Sequence, residues 1–128
     1  MVPGISRRDL LLCSWIGLIL FSSTSLAGQW ADELYRSLFQ APGHFGYARI
    51  IAQKSVHVLL FGSLGWLVTW RAGAARPSLV RGAAWSFAVG IVSEGLQLVF
   101  ESRHPAWTDV LLNGLSGSLG SWLRLWRL

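Results

Sequence analysis

Charge is what this sequence has least of. Its 11 basic and 6 acidic side chains make up 13% of the 128 residues, against roughly 25% in an ordinary soluble domain. That is too little to coat a water-soluble globule of this size. Cysteine is nearly absent as well. Cys13 stands alone, which excludes an internal disulfide, and its place inside an apolar run predicts an inert, packed thiol. No stretch shows the ten-residue alternation of a membrane barrel strand, and there is no internal repeat or low-complexity tract. The net charge of +5 and a pI near 10.7 are not accompanied by a basic helix face or an aromatic RNA-binding motif, so no nucleic-acid partner is expected. What is abundant is apolar. Hydrophobic residues reach 52%, mean hydropathy is +0.46, and eight Trp, mostly near the ends of apolar runs, have the placement of interfacial anchors. Such a composition excludes disorder and argues for an integral membrane protein, long enough for one small domain spanning residues 1–128.

Four apolar stretches, about residues 10–27, 55–70, 82–100 and 107–123, predict an all-α bundle of four transmembrane helices. At about 1.5 Å per residue they are roughly 24–28 Å long, slightly short of the ~30 Å hydrocarbon core. Arg7, Arg8, Arg71, Arg76, Arg81, Arg124 and Arg127 then share one side of the membrane, and Arg36, Arg49, Lys54 and Arg103 the other. Seven against four is the positive-inside pattern with both termini cytoplasmic, as in a bacterial inner-membrane protein. Residues 29–53 and 103–105 are then outside. The first stretch has a rival reading: Ser6-Arg7-Arg8-Asp9-Leu10-Leu11 is similar to a twin-arginine export signal, with Ser25-Leu26-Ala27 as a small-residue cleavage site. Between the first two stretches, Trp30, Leu34, Tyr35, Leu38 and Phe39 recur at helical spacing, with Asp32, Glu33, Arg36 and Gln40 opposite. That pattern predicts a short amphipathic helix ended by Pro42-Gly43, either lying on the outer membrane surface or packed over the bundle mouth.

Polar residues inside the apolar stretches are the informative ones. In the third, Ser86, Gly90, Glu94 and Gln97 follow at spacings of four, four and three, on one face; Trp85, Val89, Val92, Leu96 and Val99 form the other. The small, polar face is expected to turn inward and the bulky one to lipid. In the fourth, Asp109, Asn113, Gly117 and Gly120 share a face, and at the start of the second Lys54, His57 and Phe61 do. With the topology above, Lys54, His57, Glu94, Gln97, Arg103, Asp109 and Asn113 all come within ~10 Å of the outer face. A carboxylate at that depth costs roughly 2–3 kcal/mol or more without a partner. Glu94 is therefore expected at the centre of a hydrogen-bonded ion-pair cluster, coupled to Lys54 and His57.

Lys54-Ser-Val-His57-Val-Leu-Leu-Phe61, Ser93-Glu94-Gly-Leu-Gln97, Arg103, Asp109-Val110, Asn113 and Gly117, with Phe21-Ser22-Ser23 ahead of them, resemble in order and spacing the motifs of the VanZ-like family. The resemblance runs from about residue 10 to 123 and favours a retained first helix. Val58 stands where Phe is usual in the family, and Phe61 where Tyr is common, which removes one hydroxyl from the cluster. The resemblance implies a small four-helix envelope protein and a link to glycopeptide (teicoplanin) resistance, through the family's namesake, but no particular reaction. The cluster itself leaves four roles open. It can pin helix register; it can bind an envelope lipid head group, an envelope precursor or a glycopeptide, with Lys54 and Arg103 on phosphate or carboxylate. It can be catalytic, with Glu94 and His57 as acid and base, though no nucleophile elbow is evident and Ser93 points about 100° from Glu94. A metal is the fourth, but His57, His104, Glu94 and Asp109 lack recognised ligand spacing. No cofactor or metal is expected, and the oligomeric state is left open.

Overall fold

The computed structural model describes residues 4–39, 46–72, 77–99 and 106–127. Five helices account for nearly all of them: α1 (Arg7–Ser22), α2 (Ser25–Phe39), α3 (Gly46–Ala72), α4 (Pro77–Val99) and α5 (Trp107–Trp126). No strand occurs among the described residues. α1 opens on a capping box, in which the Ser6 hydroxyl accepts from Asp9 N and the Asp9 carboxylate accepts from Ser6 N. This satisfies two of the backbone donors that a helix start leaves over. α4 begins at Pro77, whose missing N–H costs nothing at a first helical position.

α3 over Ile50–Ala72 and α4 over Leu79–Val99 are long and apolar enough to cross a membrane; the number rises to three if α1 and α2, which meet at a 74° bend, form one broken span. α1 has only 16 residues. α5 has 20 and carries Asn113, Ser116, Ser118 and Ser121 in its body. Two boundaries differ from the sequence expectation. Helix α3 begins at Gly46, well ahead of the apolar residues from 55, because Ile50, Ile51 and Ala52 carry the apolar run past Gln53 and Lys54. Helix α2 likewise begins at Ser25 rather than after Ala27.

The chain runs up and down. Asp9 at the start of α1 pairs with Arg71 at the end of α3, and Ser23 just after α1 meets Ser93 near the end of α4. Lys54 near the start of α3 meets Asp109 at the start of α5. Thus α1 and α4 run one way, α3 and α5 the other. Helix α5 packs between α3 and α4, and α1 leans on α3 and α4 from outside. A small apolar core of Leu12, Ile19, Phe61, Leu64, Val68 and Val89 joins α1 to α3 and α4.

Elsewhere the usual distribution is inverted. Ser86, Ser93, Asn113, Ser116 and Ser121 are buried, while Leu59, Leu98, Val99, Leu111 and Leu115 are exposed. Small residues inside permit close backbone approach and large ones outside meet acyl chains, the arrangement of a helix bundle in lipid. Val89, expected on the lipid side, is buried with this core. Cys13, expected to be packed, is exposed on the outer side of α1.

Candidate functional site

The predicted polar residues fall at one end of the bundle, where α3 and α5 start and α4 ends. Lys54 Nζ lies 2.6 Å from Asp109 Oδ1, with the two side chains 49% and 26% exposed. One turn deeper, His57 Nδ1 and Asn113 Oδ1 are 3.1 Å apart. A carbonyl oxygen can only accept, so Nδ1 carries the hydrogen, and in the neutral ring Nε2 is left as an acceptor. Asn113 is fully buried. It fits because Gly90 of α4 faces it: a Cβ there would lie 3.2 Å from the Asn113 side chain. The His57 ring stacks on Phe61, centroids 6.0 Å apart.

Glu94 is buried and accepts a hydrogen bond from Ala106 N, 3.3 Å from its Oε2. Ala106 is the N-cap of α5 and has no side-chain acceptor. Asp109 occupies the position from which an acidic side chain ordinarily reaches back to the N-cap N–H, but it is turned to Lys54. Glu94, from a different helix, fills that role, and its charge faces the positive end of the α5 dipole. The partners expected of Glu94 are therefore divided: Lys54 and His57 pair with α5, and Glu94 holds the start of that same helix. Gln97 is buried one turn beyond Glu94. Arg103, His104 and Glu101 lie outside the described residues, as do Gln40 and Pro42-Gly43.

Several participants escaped the sequence reading. Ser93 turns toward α1 and its Oγ lies 2.6 Å from Ser23 Oγ, both buried. Its 100° offset from Glu94 removes it from one interface and places it on another. Ser23 belongs to the Phe21-Ser22-Ser23 segment, which was the available signal. Besides a recess of about 480 Å³ between α3 and α5 beside Lys54, two others adjoin the cluster. One of about 320 Å³ lies between α4 and α5, lined by Glu94, Ala106 and Trp107 among others. The second, about 210 Å³, is bounded by α1, α2 and α3, with Ser22, Asp32, Tyr35, Gln53 and His57 in its wall. Asp32 and Tyr35 come from α2, whose Trp30, Leu34 and Leu38 point outward and are 60–67% exposed. No group of three or more metal-ligating side chains occurs among the described residues.

Against known families, the model described as VanZ/LLP1 matches residues 10–127, which include the whole cluster. No curated protein and no solved structure matches the chain.

Proposed function

We propose, from the premise that the chain belongs to the VanZ/LLP1 family, that it is a four-span bacterial inner-membrane protein whose outward end binds an envelope ligand. In this reading both termini are cytoplasmic and α2 lies in the outer interface, with Trp30, Leu34 and Leu38 against lipid. The ligand is an envelope lipid head group, an envelope precursor or a glycopeptide, and glycopeptide resistance is the cellular consequence. One observation carries the reading. Polar and charged side chains from α3, α4 and α5 converge at the end of the bundle where α3 and α5 start, and recesses open beside them.

Lys54 is the group for first contact. It is half exposed and tied only to a partly exposed carboxylate, so a phosphate or carboxylate can exchange with Asp109 at small cost. His57 lies between Asn113 and the recess under α2, with Nε2 able to accept from a ligand hydroxyl or amide. The purified chain in nanodiscs should bind teicoplanin or a phosphate-bearing lipid head group, and Lys54→Met should weaken that binding about tenfold or more. Cells carrying the same variant should lose any protection against teicoplanin. Unchanged binding and susceptibility in Lys54→Met and His57→Ala would remove the reading.

A second reading has its own support: Lys54 pairs with Asp109 and His57 with Asn113 without a ligand. A cluster that only fixes helix register would lose stability on mutation and bind nothing.

A further inference from the structure

A further recess runs from beside the polar cluster toward the other end of the bundle. It is a groove of about 660 Å³ between α1, α3 and α5, walled by Trp15, Val58, Gly62, Trp66, Gly120 and Leu123 among others. Gly62 and Gly120 bring the α3 and α5 backbones together at its floor, while α1 leans on α3 and α4 and leaves that side open. From Val58 to Leu67 the groove follows α3 for nine residues, about 13 Å. That is close to half of the ~30 Å hydrocarbon core, the depth of one leaflet.

Its far end is charged. Arg124 and Arg127 each place a guanidinium 5.6 Å from the centroid of Trp66, the same ring that walls the groove. Among the described residues Asp109 pairs with Lys54 and Asp9 with Arg71, and no described carboxylate is paired with either arginine. Arg124 in the last turn of α5 and Arg127 at its C-cap meet the same ring, and their planar forks match phosphate oxygens.

We propose that this groove is a site for an anionic phospholipid, with an acyl chain along α3 and α5 and the phosphate on Arg124 and Arg127. The site is at the opposite end from the polar cluster and does not rest on the function proposed for it. A second copy of the chain suits the groove less well. A two-fold dimer built on this seam would bring two more arginines to the same place, like against like.

The test uses the full chain, delipidated in detergent and titrated with phosphatidylglycerol or phosphatidylcholine of identical acyl chains, read by native mass spectrometry. Phosphatidylglycerol should be retained preferentially. Replacing both arginines (Arg124→Gln with Arg127→Gln) should cut that preference about tenfold or more. Arg81→Gln, an exposed arginine at the same end of the bundle, should leave it unchanged. Ser63→Phe, which fills the groove, should lower phosphatidylglycerol retention with both arginines present. Equal retention of the two lipids by the unmodified chain would overturn the proposal without recourse to any variant. So would an unchanged preference in the double arginine variant, or a lipid-free dimer that Ser63→Phe splits.

Discussion

At the scale of single residues, the cluster divides into pairs whose worth differs by burial. Lys54–Asp109 is half exposed and contributes at most about 1 kcal/mol, so Lys54→Met should leave detergent-solubilised stability nearly intact. His57–Asn113 is another matter. Asn113→Ala removes the acceptor of a partly buried ring nitrogen and leaves a void against Gly90, at a cost of roughly 1–3 kcal/mol. In a double-mutant cycle, His57→Ala combined with Asn113→Ala should cost less than the sum of the single changes by about 1 kcal/mol. Additive effects would show that the 3.1 Å contact contributes nothing. For Glu94 the two obvious substitutions separate charge from hydrogen bonding. Glu94→Gln keeps an oxygen for Ala106 N–H and gives up the charge, whose share against the α5 dipole is ~0.3–1 kcal/mol. Glu94→Ala leaves that N–H without its acceptor and should cost ~1–3 kcal/mol. Equal losses for the two, measured by thermal unfolding in one detergent, would argue against Glu94 as the cap of α5.

Helix contacts at the next scale are set by missing side chains. A Cβ on Gly65 would collide with the Gly117 backbone, and one on Gly120 with the backbone of Gly62. Ser86 and Ser121 sit in the same seam, with Ser121 Oγ donating to Gly65 O at 3.0 Å. Because backbone cannot yield as a flexible side chain can, Gly65→Ala should destabilise the bundle by ~1–3 kcal/mol, the usual cost of overpacking. Gly62 is the internal control. Its Cβ would meet only Ser116 O at 3.5 Å, an ordinary contact, so Gly62→Ala should be neutral or gain up to ~1 kcal/mol from helix propensity. Both can be read from the same unfolding curves. If Gly65→Ala were as stable as Gly62→Ala, the α3–α5 approach would be looser than described here. Helix α1 is attached differently. Trp15 Nε1 donates to Leu60 O at 3.0 Å, and Ser23 meets Ser93 at the other end, so it is pinned at separated points rather than sealed along its length. That mode of attachment leaves the groove beside it.

For the molecule as a whole, the two ends differ in charge, and that difference predicts an orientation. Arg7, Arg8, Arg71, Arg81, Arg124 and Arg127 lie at the end where α1 starts and α3 and α5 finish; the Lys54–Asp109 pair lies at the other. Reporter fusions after residue 128 and within residues 73–76 should therefore both behave as cytoplasmic. Periplasmic activity from either would place the polar cluster on the inner side, and with it the ligand proposed above.

The sequence by itself determined which residues could be together. Spacings of three and four marked the buried stripe of Ser86, Gly90, Glu94 and Gln97 and its counterpart of Asn113, Gly117 and Gly120, because helical periodicity is a local property that any window of the chain contains. Charge scarcity likewise fixed an all-helical protein with spans apolar enough for lipid. Which stripe residue meets which was decided only by tertiary structure. Glu94 was legible as a buried carboxylate, but its role at the start of α5 depends on a backbone N–H twelve residues away, and backbone groups leave no trace in residue identity. Val89 was misplaced, and Ser93 was left without its partner, for a related reason. One helical wheel admits a single inner face, whereas α4 has neighbours on two sides, α1 on one and the α3–α5 pair on the other, and how many sides of a helix are covered depends on packing that no local spacing encodes.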